Sequence, residues 1–188
     1  MDDNPEFTQA LETVLHDLRA EGAVLPRVSV AADYGLMLHD PDGSGHGIRW
    51  LEDGTHADRL ANLADQVQEW AVEALWSAGA PAVWPHCPQH PNSHPLAATT
   101  TAAIAAAAAV ADATPAAAAV AAAGADIQAI ANAGAGIGAA GDAAVWTCPK
   151  TGAVVARVGE LPGAGEPAAM GTSARVRKSA RSRATGAV

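Results

Sequence analysis

The sequence predicts an α+β protein: a helix, a small antiparallel sheet, a second helix, and then a ribbon-like hairpin module interrupted by an alanine-rich insertion. Three observations predict it. Two stretches carry apolar residues at helical spacing and begin with capping residues. Between them lie short alternating segments separated by turn formers. Beyond them, two proline-marked pieces bearing cysteine and histidine flank a low-complexity block.

The first helix is punctuated at both ends. Asn4 is suited to the N-cap, Pro5 to the first helical position and Glu6 to the positive end of the helix, while Gly22 suits its close. Phe7, Leu11, Val14, Leu15 and Leu18 form a one-sided stripe of period 3.6. Residues 24 to 51 read as a three-stranded meander. In "RVSVAA" Val28 and Val30 alternate with Arg27 and Ser29; Leu36 and Leu38 share one face of the next segment, and Ile48 and Trp50 of the third. "DPDGSG" at 40 to 45 supplies the turn. It resembles the start of a calcium loop, but the twelfth position is Leu51 instead of a glutamate, which favours a hairpin.

Thr55 with Asp58 three residues on is a capping-box variant that announces the second helix. Its apolar face is predicted as Leu60, Leu63, Val67, Trp70, Ala74 and either Leu75 or Trp76, with Asp65, Gln66, Gln68, Glu69 and Glu73 mostly outward. Gly79 and Pro81 stop it. The block from 97 to 143 follows the Cys/His stretch and holds 26 alanines in 47 residues. It has helix propensity but no large apolar stripe, and is expected to be a partly helical insertion whose excision from Ala98 to Ala143 leaves folding intact. "AVWTCPKTGAVVARVG" then reads as a hairpin, Val145 and Trp146 leading in and Val154, Val155 and Val158 leading out. The expected organisation is an α+β unit at 1–82, a Cys/His module at 83–96 and 144–159, the insertion at 97–143, and a disordered tail at 160–188.

Charge narrows the function classes. Residues 1 to 96 carry 15 acidic and 4 basic groups, a net of −11; residues 97 to 147 add −3; residues 148 to 188 carry 7 basic and 2 acidic, +5, closing on the total of −9. An acidic body is unsuited to nucleic acid or anionic membrane, because phosphate contacts need clustered Lys and Arg. Only "ARVRKSARSR" at 174 to 183 offers that, without interleaved aromatics for base stacking. "MDDNPEF" has neither a basic nor an apolar leader region, and no stretch reads as a membrane span, so a cytoplasmic setting with reduced cysteines is expected. No Ser-His-Asp order, phosphate-binding loop or carboxylate pair in a recognisable context points to catalysis.

One stretch concentrates the reactive side chains. "WPHCPQHPNSHPL" at 84 to 96 places one of the chain's two cysteines and three of its seven histidines in thirteen positions. Cys87-Pro88-Gln89-His90 sets two donors three positions apart, so that a tight turn aims both at one point; Cys148-Pro149-Lys150-Thr151-Gly152 begins the same way. A fourth donor is available from His94, in C-x2-H-x3-H spacing, or from His86, which adjoins Cys87 and would point away from it in an extended chain. The candidate metal ligands are Cys87, His90, His94 and Cys148.

These knuckles resemble the zinc-ribbon class, whose signature is a pair of C-P-x-C-G-type knuckles on two hairpins. His90 stands here where the second cysteine would be, and Thr151 where a fourth ligand would be. The resemblance implies a structural zinc ion. A catalytic ion would need an open position and a general base, and no acidic residue lies in the loop. The run from "LADQVQEWAVEALW" through "WPHCPQHPNSHPL" to "WTCPKTG" and "VARVG" is similar to small actinobacterial proteins to which no activity is assigned, and so implies no function. The sequence reading is a non-enzymatic binding or adaptor protein with an unknown protein partner. Its rivals are an enzyme of unknown reaction using the histidine-rich loop, and a metal-free domain.

Overall fold

Helix α1 (Pro5–Ala20) begins where Asn4 Oδ1 accepts from the backbone N–H of Glu6 at 3.0 Å and of Phe7 at 3.2 Å. The computed structural model describes residues 4–31, 35–112 and 141–163. The stripe of α1 is buried as the sequence predicts, through Leu11, Val14, Leu15 and Leu18, and Gly22 closes the helix at φ 68°. Phe7 lies half-buried on Trp50, their rings stacked with centroids 5.4 Å apart.

Strands β1 (Arg27–Ala31), β2 (Gly35–His39) and β3 (Gly45–Ile48) form an antiparallel sheet in that order, with Leu38 opposite Val28 and Leu36 opposite both Val30 and Ile48. "DPDGSG" is the β2–β3 turn: Asp40 N donates to Ser44 O, and Asp42 Oδ1 accepts from the Ser44 amide at 2.8 Å. The alternation in β1 does not lead to burial. Val28 and Val30 face the same side as Leu38 and Leu36, yet remain 40% and 53% exposed. β1 is an edge strand, and the face it shares with β2 is covered only towards β3, where helix α2 packs.

Helix α2 (His56–Ser77) opens with the complete capping box of Thr55 and Asp58. It contacts α1, strand β3 of the first sheet and two adjacent strands of a second sheet. Leu60, Leu63, Val67, Trp70 and Ala74 are buried as expected; Leu75 is half-buried, while Trp76 is 75% exposed and belongs to the surface. Gln68, read as outward from the sequence, is buried on the inner face.

The second sheet has the order β4 (Ala97–Thr100), β5 (Ala144–Thr147), β6 (Val154–Arg157), all antiparallel. The hairpin at 144 to 158 is therefore present, with a third strand beside it. The alanine-rich insertion was expected to begin at residue 97, but its first four residues are β4, paired with β5 from Ala97↔Thr147 to Thr100↔Ala144. Thr99 and Thr100 suit a strand, and Leu96 anchors its start in the core. Helix α3 (Thr101–Asp112) follows at once; Thr100 Oγ1 accepts from Ala103 N at 3.1 Å, and Asp142 Oδ1 from Ala102 N at 3.0 Å. The rest of the expected insertion, 113–140, lies outside the described residues. So does most of the expected tail, 164–188, including the basic run. The tail does not start at residue 160, since Leu161 is buried and hydrogen-bonded to α1.

One apolar cluster joins the two halves. Leu11, Leu18, Leu38, Leu63, Val67 and Trp70 belong to the same core as Trp84, Leu96, Trp146 and Val158, so residue 82 does not separate two cores. β5 is the central strand, every residue of which is buried. Trp84 and Trp146 meet edge to face with centroids 5.6 Å apart.

Candidate metal centre

The loop from residue 85 to residue 96 is closed at its base before it presents a single donor. Leu96 N donates to Pro85 O at 2.9 Å, and His86 bridges Pro95. From below, Gln68 Nε2 donates to Trp84 O at 2.9 Å and to Leu96 O at 2.6 Å. The two N–H groups of one buried amide thus pin both stems of the loop, which carbon at this position could not do. Within the loop, two short turns follow one another: His90 N donates to Cys87 O at 3.1 Å and Ser93 N to His90 O at 3.2 Å, with Asn92 at φ 57°. Successive turns bring Cys87, His90 and His94 to the same side, although seven positions separate the first from the last.

The fourth donor arrives from the β5–β6 hairpin. Cys148 N donates to Ala153 O at 2.9 Å and Gly152 N to Cys148 O at 2.8 Å, Gly152 taking φ 70°. This tight end turns the amides of Lys150 and Thr151, two and three residues on, towards the Cys148 sulfur. Burial raises the Cys148 thiol pKa, but the Thr151 hydroxyl, these two amides and the Cys87 side chain outweigh it and lower it to about 6. The tips of the two turns are tied as well: Lys150 Nζ donates to Ser93 Oγ at 2.9 Å, and Thr151 Oγ1 to Gln89 Oε1 at 3.4 Å.

Cys87, His90, His94 and Cys148 therefore converge. One ligand atom from each lies within 4.8 Å of the others, a Cys2His2 group that could hold a metal ion. His90 Nδ1 is 3.5 Å from both sulfurs, and His94 Nε2 is 3.9 Å from Cys148 Sγ. A tetrahedral zinc with its usual Zn–S and Zn–N bonds has a sulfur-to-nitrogen edge of about 3.6 Å, so these spacings match such a cage closely. Both cysteines are buried, and both histidines half-buried.

The histidine tautomer is set from outside the cage. His94 Nδ1 lies 2.9 Å from Pro95 O, which can only accept, so Nδ1 carries the hydrogen and Nε2 keeps its lone pair towards Cys148. His86 is committed elsewhere, its backbone N–H and Nδ1 both on Glu21 Oε2 at 3.1 and 3.2 Å. Of the two candidates for the fourth donor, His94 is the one that faces the sulfurs.

Two positioning residues escape the sequence reading. Gln68 continues the inward row Ala61, Ala64, Gln68, Ala71, and a lone amide in a row of small residues is a readable signal. Asp17 lies at the margin of the α1 stripe, three positions from Val14, and is fully buried. Its Oδ2 accepts from Trp146 Nε1 at 2.8 Å and Gly159 N at 2.7 Å, and its Oδ1 from Leu161 N at 2.9 Å. Gly159 sits so close, at φ 92°, that any side chain there would run into Thr13. Asp17 thereby fixes the strand that leads to Cys148.

Comparison with protein-family models, curated proteins and solved structures found no match to this chain. The Cys/His cluster is compatible with a metal-binding module, and none of these comparisons supports the expected likeness to zinc ribbons or to actinobacterial proteins. Among the described residues, no helix is long and apolar enough to cross a membrane.

Proposed function

We propose that Cys87, His90, His94 and Cys148 bind one structural zinc ion, and that the chain is a non-enzymatic cytoplasmic binding or adaptor protein built around it. The observation that carries this reading is the convergence of four donor atoms within 4.8 Å of one another. Two thiolates and two neutral imidazoles balance the charge of a divalent ion, and soft sulfur with imidazole suits zinc over calcium or magnesium. Four protein ligands complete a tetrahedron and leave no position for water or substrate, which favours a structural over a hydrolytic role. The ion would clamp the 85–96 loop to the β5–β6 hairpin and so hold both polar turn tips as one rigid surface.

The test is metal analysis of the protein purified without chelator. One zinc per chain is expected, lost in Cys148→Ser and His94→Ala but retained in His86→Ala. A metal-free wild-type protein that is fully folded would overturn the zinc site. An activity that needs exchangeable water on the metal would overturn the structural role.

A further inference from the structure

We propose that Cys87 and Cys148 form a redox couple, in which oxidation by a hydroperoxide replaces the metal cross-link with a disulfide and releases the ion; this regulation rests on the zinc reading above. The chain contains only two cysteines, both free thiols, and the fold brings them from opposite ends of a long sequence separation into one cage. Intramolecular thiol oxidation can therefore give a single product. The two sulfurs lie within 4.8 Å of each other, and each is 3.5 Å from His90 Nδ1. Each sits beside a short turn, and closing that gap to a bond of about 2.05 Å requires the two side chains to rotate towards each other. Both sulfurs are buried, and His90 and His94 are the half-buried members of the cage, the side from which a small oxidant would have to enter.

The surroundings favour a reversible change over collapse. The cage rests on Trp84 and Trp146, packed edge to face, and on Gln68 and Asp17, none of which needs the ion for its contacts. A disulfide between residues 87 and 148 would join the same two segments that the metal joins. The nucleophile is Cys148, towards which the Lys150 and Thr151 amides are turned.

The Cys148 thiolate attacks the peroxide oxygen, giving a sulfenic acid and hydroxide. The Cys87 thiolate then attacks that sulfur, forming the S–S bond and expelling a second hydroxide. Two electrons pass from the sulfurs to the peroxide, two protons convert the hydroxides to water, and zinc leaves with its double positive charge.

The experiment treats the full-length, zinc-loaded chain with one equivalent of hydrogen peroxide. Released zinc is followed with a chromogenic chelator, and products by intact mass and peptide mapping, which separates cysteine oxidation from that of the three methionines. Expected are equimolar zinc release and a Cys87–Cys148 disulfide lighter by two hydrogens, with a dithiol reductant restoring both thiols and zinc binding. Zinc-loaded protein that keeps its metal, or gains sulfinic acids without the disulfide, would overturn the switch and leave the zinc site standing. A chain that never held zinc would overturn both, and that is read before peroxide is added. Because wild-type protein supplies every readout, the result does not depend on whether cysteine variants fold.

Discussion

The indole Nε1 of Trp146 donates to Asp17 Oδ2 at 2.8 Å, tying the first helix to strand β5, just beyond whose end stands Cys148 of the Cys2His2 cluster. The same carboxylate takes the amides of Gly159 and Leu161. Three donors converge on one buried acid, so that helix, central strand and the end of the second hairpin share an anchor.

Asp17→Asn is expected to destabilise the protein by about 2–3 kcal/mol, since the new NH2 group must oppose a buried donor. The difference also has a pH signature. Burial raises the Asp17 pKa above its ordinary 3.8, against the opposing effect of the Trp146, Gly159 and Leu161 hydrogen bonds. With the folded pKa raised, the native state binds the proton more tightly than the unfolded chain. The stabilisation associated with protonation is present below 3.8 and is lost as pH rises through the folded value. The advantage of wild type over Asp17→Asn should thus shrink as pH rises through that window. Urea unfolding of both proteins at stepped pH measures it; a gap that widens over the window would contradict the sign.

Gln68 gives a second test, centred on the metal loop. Gln68→Met keeps length and volume but removes both donors, leaving Trp84 O and Leu96 O buried without them. A loss of about 2–4 kcal/mol in stability is expected. Zinc affinity should fall too, as the loop stems loosen, while the zinc stoichiometry of saturated protein stays unchanged. Competition with a chromogenic chelator separates affinity from stoichiometry. Unaltered affinity would show that the loop is positioned without this amide.

How far the sequence could be read is clearest at particular positions. The caps Asn4 and Thr55, the apolar rows of both long helices and the turn at Asp40–Gly45 act locally, through neighbouring residues, and are legible for that reason. The four-donor cluster is also legible, since short turns and proline restrict where Cys87, His90 and Cys148 can point. The partners of Asp17 and Gln68 are not, because each finds them across the chain, Asp17 at residues 146 to 161 and Gln68 at 84 and 96. Val28 and Val30 have the pattern of a buried face, but burial depends on which strand the helices cover. β4 hides in the alanine block because alanine marks neither strand nor core; its assignment comes from pairing with β5.

The position of β4 also changes what an excision does. Deleting 98–143 removes three residues of that strand together with α3 and Asp142, which accepts from Thr101 and Ala102. One edge of β5 then has no partner, although the strand is wholly buried. Circular dichroism and urea unfolding should find this variant unfolded or strongly destabilised. Native-like cooperative unfolding would mean that the second sheet does not need its third strand.

Chelation distinguishes what the metal holds from what the core holds. The hairpin around Cys148 does not depend on an ion alone to meet the loop: Trp84, Leu96 and Trp146 belong to one buried cluster with Cys87 and Cys148. Among the described residues, the side-chain contacts above that layer include Lys150 to Ser93, Thr151 to Gln89 and the four donors themselves. Removing zinc should therefore raise amide exchange at the turn tips, residues 87–94 and 148–153, and leave β4, β5, α1 and α2 protected. Cys148→Ser should give the same exchange map without chelator, and His56→Ala should not, since His56 pairs with Glu6 at the far end of α2. Hydrogen exchange by mass spectrometry reads both segments at once. Exchange that rises through β5 and α2 together would show that the ion supports the whole core, and unchanged exchange at the tips would show that no ion holds them.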